Sequence, residues 1–269
     1  VDNNCDAGDA GRLVYVVEHG DTGWHMGHQT LVSFNDVFFP HNKTRTGQKG
    51  SHLSAWMAEG LWHTQFSEQP AYIVPPIEYS VSGPCGFTIS PGVSSFPDRY
   101  DGSFFIVNYK GAPARSGIDR FTVANRGAGF EVEERVPFLE GLCLTDIDWG
   151  YDGKLYMSDF VTGWVKPESG NVFTLTGTNT ANRAEQDRVR SWFAQGFDVM
   201  PAQELAGLLG YADQRVRQRA QFALAQKPLS EAARLFVTAT AVGKPLLVRL
   251  HGLWGLGQIS VKEPKHLAR

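Results

Sequence analysis

Between residues 13 and 176, short apolar runs alternate with clusters of Gly, Pro, Asn and Asp at nearly even spacing. Within the runs, apolar and polar positions trade places at period two, as strands with one buried face do. The pattern predicts strands over 13–18, 86–90, 103–109, 117–124, 130–139, 144–150, 154–160 and 171–176. No helical period interrupts the last seven of these. Such a series belongs to a sandwich, a barrel or a propeller.

An internal repeat selects among the three. Asp101-Gly102 leads into an apolar run ending at Tyr109, and Asp152-Gly153 leads into one ending at Phe160. Each run continues through a loop to a further strand, with Phe121 and Phe173 in nearly matching places. The offset of about fifty residues falls in the range of a propeller blade. Asp-Gly pairs suit tight turns, because Gly takes the positive φ such turns require. The expectation is therefore a partial β-propeller of the six-bladed type over 1–177. Residues 86–139 would supply a complete four-stranded blade, and 144–176 three strands of another, its edge closed by a strand from outside the chain.

Beyond a linker at 178–200 the period changes to 3.6. Leu205, Leu208 and Leu209 form one apolar stripe, and Val216, Ala220, Ala223 and Leu224 form the next. Gly210 ends one helix and Asp213 stands where the next wants an N-cap. A second pair is predicted over 229–242 and 246–259, with Val248, Leu250, Leu253, Trp254 and Leu256 apolar, and a leading helix over 184–195. The expectation for 201–269 is an incomplete HEAT-like α-solenoid able to dock a protein partner.

At 269 residues the chain is long enough for two cores. A net charge of −3 gives no reason to expect nucleic acid. No apolar stretch approaches the ~18 residues a membrane span needs. Three scattered cysteines, Cys5, Cys85 and Cys143, make no disulfide framework, zinc knuckle or CxxCH haem site. The chain opens at Val1 inside a loop-like segment without an initiator methionine. It reads as part of a longer protein.

Three places carry candidate chemistry. Asp2, Asn4, Asp6 and Asp9 present oxygen ligands at alternating positions around Gly8, with Glu18 on the adjacent strand, a set that suits calcium. The Glu that would close an EF-hand loop is absent, since Leu13 stands there, and the segment equally suits a solvated turn held by Asx hydrogen bonds. The Gly-studded run from Glu18 to His28 gathers His19, His25, His28, Asp21 and Trp24, without HxH or HExxH spacing. Lys110, with Arg115 nearby, follows a central strand and could face an anionic ligand. Asp146, Asp148 and Asp159 lie on successive strands, where acids commonly hold turns.

The runs from Asp2 to Asp9 and from Arg12 to Trp24 resemble a family of large multi-domain bacterial proteins. So do Leu61-Trp62-His63, 71–76, 104–111, Thr145–Asp148 and Leu155–Asp159. These are the membrane-bound dehydrogenases, or haem-binding proteins, of planctomycete and verrucomicrobial bacteria. In them a propeller akin to the glucose/sorbosone quinoprotein dehydrogenases precedes HEAT repeats and usually a cytochrome c-like domain. The resemblance implies a periplasmic or secreted dehydrogenase that oxidises a sugar or alcohol and passes electrons to haem outside this chain. It implies calcium and pyrroloquinoline quinone as cofactors. Glu18-His19-Gly20-Asp21 resembles the Glu-His-Gly-Pro segment whose carbonyls hold calcium, with Asp21 replacing Pro. Gly20, Asp21, Lys110 and Arg115 would then face the cofactor, and the catalytic base would lie outside the chain. The alternative is a non-enzymatic module that binds glycan or protein.

Overall fold

The structure is a computed structural model that describes residues 11–22, 66–69, 73–81, 83–163 and 168–262. Among these lie nine strands and five α-helices. The strands are β1 (Gly11–Leu13), β2 (Glu78–Val81), β3 (Pro84–Ile89), β4 (Phe104–Asn108), β5 (Gly117–Arg126), β6 (Gly129–Glu140), β7 (Leu144–Trp149), β8 (Leu155–Asp159) and β9 (Asn171–Leu175). The helices are α1 (Arg183–Gln195), α2 (Ala202–Gly207), α3 (Gln214–Leu224), α4 (Leu229–Ala239) and α5 (Leu246–Lys262). The chain divides into two compact units. One holds β1–β6 and most of the β7–β9 sheet. The other holds the helices together with segments 90–102 and 149–155.

In the sheet unit, β3-β4-β5-β6 form a four-stranded antiparallel meander, β7-β8-β9 a three-stranded sheet, and β1-β2 a two-stranded ribbon. β4 is central, and Phe105, Ile106 and Val107 are all buried. Near-continuous burial is what a strand covered on both faces shows. On one face Phe104 stacks on Phe121 at 5.2 Å and on Phe87 at 5.6 Å, and on the other Phe105 meets Phe138 edge-on at 5.0 Å. β6 is an edge strand studded with exposed Glu131, Glu133 and Glu134, charges that discourage pairing with another chain. Arg135 ties the ribbon to the meander, reaching Glu78 of β2 at 2.6 Å and Asp119 of β5 at 3.0 Å.

In the helical unit one core gathers Val189 of α1, Leu205 of α2, Val216 and Leu224 of α3, Phe236 of α4 and Ile259 of α5. α2 packs on α3 and α4 on α5, while α2–α4 and α3–α5 contacts join the two pairs. Asp213 caps α3, accepting from the N–H groups of Arg215 (2.9 Å) and Val216 (3.4 Å). Pro201 and Pro228 stand at the starts of α2 and α4, where their preset φ suits the first turn.

The propeller and solenoid expectations are not met. The four- and three-stranded sheets are open and do not close into a ring, and the helices form two joined pairs rather than an extended array. A period-two pattern reports that a strand buries one face but not what covers that face, so open meanders satisfy it as well as a ring does. Helical stripes likewise specify that helices pair, not how many pairs follow one another.

Candidate functional site

The sequence-predicted residues fall on three segments. Asp2, Asn4, Asp6 and Asp9 lie outside the described residues, as do Trp24, His25, His28 and Leu61-Trp62-His63. Glu18, His19, Gly20 and Asp21 form an exposed turn after β1, closed by a Gly20 N–H to Val17 carbonyl bond of 3.0 Å. Glu18 and His19 lie 3.7 Å apart, both almost fully solvated. The carbonyls of Val17 and Asp21 accept from Gly20 and Val74, and that of Thr22 accepts from the buried Arg12 guanidinium at 2.6 Å. No group of three or more His, Cys, Asp or Glu residues is placed to hold a metal among the described residues.

Lys110 and Arg115 are brought together on the β4–β5 connection, and both are exposed. The Lys110 N–H donates to Ser116 Oγ at 2.9 Å, and Ser116 donates to the Ala112 carbonyl at 2.8 Å, so the connection is held from within. Gly20 and Asp21 lie on a different connection. Asp146 and Asp148 share an exposed face of β7, while Asp159 is buried at the end of β8 and accepts from the Val161 N–H at 3.2 Å. Asp159 therefore holds a turn.

The helical unit presents a more developed site. α3 and α5 flank a groove of about 510 Å³ lined by Arg217, Gln218, Gln221, Phe222, Leu247, His251 and Trp254, with Gln214 and Arg215 at its end. Its floor is polar and ordered. His251 is only 7% exposed, and its Nδ1 lies 2.8 Å from Gln221 Oε1, while Gln221 Nε2 donates to Gln258 Oε1 at 3.2 Å. Because that Gln221 oxygen can only accept, Nδ1 carries the proton of the neutral ring. Its walls are apolar and exposed: Trp254 is 54% exposed and meets the His251 ring edge-on at 5.1 Å, with Phe222 and Leu247 alongside. At one end Arg217 is fastened by bonds of 2.6 and 2.7 Å to the Tyr211 and Ala212 carbonyls. Arg215 grips Asp213 at 2.7 Å and donates to the Trp149 and Gly150 carbonyls. Burial lowers the Arg217 pKa, against the pull of Asp213.

Sequence reasoning missed this groove. Leu253 and Trp254 belonged to the expected core stripe of the last helix, yet both are exposed. The available signal was composition. Neither α3 nor α5 contains an Asp or Glu, although the chain as a whole is acidic.

Burial pushes the His251 pKa below its ordinary value, and the Arg217 charge pushes the same way. The unfolded chain, with a His pKa of about 6.5, takes the proton first. His251 thus adds stability above that pH and loses it as the pH falls through and below it. Urea unfolding at a series of pH values should show stability falling between neutral pH and about 5.5, with a shallower slope in His251→Gln. Equal slopes would contradict the assignment.

A second hollow, of about 230 Å³, lies in the sheet unit and is almost wholly apolar, with Leu13, Tyr15, Ile77, Phe87, Phe104 and Phe130 in its walls. Among the described residues, no helix is long and apolar enough to cross a membrane. Comparison with protein-family models, with curated proteins and with solved structures finds no match to this chain.

Proposed function

We propose that this protein is a binding module whose helical unit docks a partner protein on the face formed by α3 and α5. The observation that carries the reading is the exposed apolar surface of α5. Leu246, Leu247, Leu253 and Trp254 are each about half exposed or more, and Phe222 of α3 lines the same groove as Leu247 and Trp254. Clustered exposed apolar side chains beside a groove mark interaction surfaces. The dehydrogenase expectation rests instead on the resemblance, on Glu18–Asp21 and Lys110, and on the Asp2–Asp9 loop, which lies outside the described residues.

Exposed Trp is a frequent hot spot, and its truncation commonly costs about 2 kcal/mol or more of binding energy. Trp254→Ala should therefore weaken binding of an amphipathic peptide by at least about tenfold. The fold should be untouched, because more than half of the side chain is already in water. Fluorescence anisotropy with a labelled Leu/Glu amphipathic peptide measures this directly. Unchanged affinity in Trp254→Ala would remove α5 from the binding surface.

A further inference from the structure

Resting on that reading, we propose that the α3–α5 groove takes an acidic amphipathic segment of the partner, its carboxylates toward the arginines and its apolar side chains on Trp254, Phe222 and Leu247. Charge makes the choice of occupant. Arg215 and Arg217 of α3 line the groove, and neither α3 nor α5 contains an acid. Asp213 is fully buried and engaged by Arg215, and no carboxylate lines the groove itself. In a chain of net charge −3, the charged residues lining this groove are both arginines. Complementary charge of this kind sets partner choice and orientation.

The floor adds a specific contact. With Nδ1–H given to Gln221, the Nε2 of neutral His251 is the ring's remaining acceptor, and His251 lines the groove. A peptide amide or hydroxyl reaching the floor can donate to it. The fixed His251–Gln221–Gln258 chain holds that acceptor in place before the ligand arrives. The concave shape favours a peptide over a lipid surface, which would meet the exposed residues but not a buried His.

The test uses the full chain and three synthetic amphipathic peptides that share their Leu and Phe positions and carry Glu, Gln or Lys at every polar position. The expected order is Glu tightest, at least about tenfold over Gln, with Lys weakest, and the Glu advantage shrinking as salt rises. Gln218→Glu places an acid on the exposed wall of the groove without touching the core. It should weaken the Glu peptide and strengthen the Lys peptide. Equal binding of all three peptides, lost in Trp254→Ala, would overturn the acidic preference while leaving the docking surface intact. Failure of all three to bind would overturn both. Retention on phosphatidylglycerol vesicles as strong as on the Glu peptide, and lost in the same variants, would replace the protein segment by a membrane surface.

Discussion

Asp213→Ala is expected to destabilise the helical unit by about 3–5 kcal/mol, the usual cost of removing one partner from a buried ion pair. Asp213 is 0% exposed and does three things at once. It caps α3 through the N–H groups of Arg215 and Val216, an interaction that alone is worth about 1 kcal/mol. It neutralises the Arg215 guanidinium through contacts of 2.7 and 3.1 Å. Through Arg215 it also orients the donors that satisfy the Trp149 and Gly150 carbonyls. Asp213→Asn keeps an acceptor for the cap but loses the charge, so it should cost less than Asp213→Ala. Urea unfolding followed by helical circular dichroism distinguishes the two. A loss below about 1 kcal/mol in Asp213→Ala would mean that the buried pair contributes nothing beyond the cap.

The second large effect concerns the α4–α5 contact. A Cβ added at Gly255 would lie 2.2 Å from Cε1 and 2.4 Å from Cζ of Phe236, a ring that is fully buried. Neither the ring nor the helix can yield freely in a close-packed core. Gly255→Val should therefore cost about 3 kcal/mol, the upper part of the range for overpacking. Gly255→Ala should cost less, because Ala recovers about 1 kcal/mol of helix propensity. If the clash is the cause, shrinking the ring should relieve it. Gly255→Ala combined with Phe236→Leu should then be more stable than the sum of the two single losses implies, by about 1 kcal/mol. Strict additivity would place the cost of Gly255→Ala somewhere other than the Phe236 ring.

The elements were more legible than their assembly. Seven of the nine described strands coincide with runs bounded by Gly, Pro or Asp, while β1 shares only Leu13 with the run expected over 13–18. The Gly153 turn between β7 and β8 has the positive φ of 75° that its Asp-Gly pair implied. β2 escaped because Glu78–Val81 is only four residues long, too short for its alternation of polar and apolar positions to stand out. The Asp213 cap was readable because a cap is a local contract between a side chain and the next N–H groups. Closure of the sheets was not readable, since it depends on what lies against a face. The same limit hid the groove. α5 has apolar residues on most of its sides, so its period does not say that Ile259 takes an inner place while Leu253 and Trp254 face water. Only the packing of α3 on α5 brings Gln221 within reach of His251, thirty positions away along the chain.

The cationic, tryptophan-walled groove between α3 and α5 is proposed as the place where this protein meets its partner. Nuclear magnetic resonance titration of the full chain with the Glu peptide tests it most directly. The account predicts shifts concentrated on the Trp254 indole N–H, the Leu247 methyls and the amides of Gln218 and Gln221. Shifts confined to the apolar hollow around Phe87, Phe104 and Phe130, with the Trp254 signal unmoved, would contradict it.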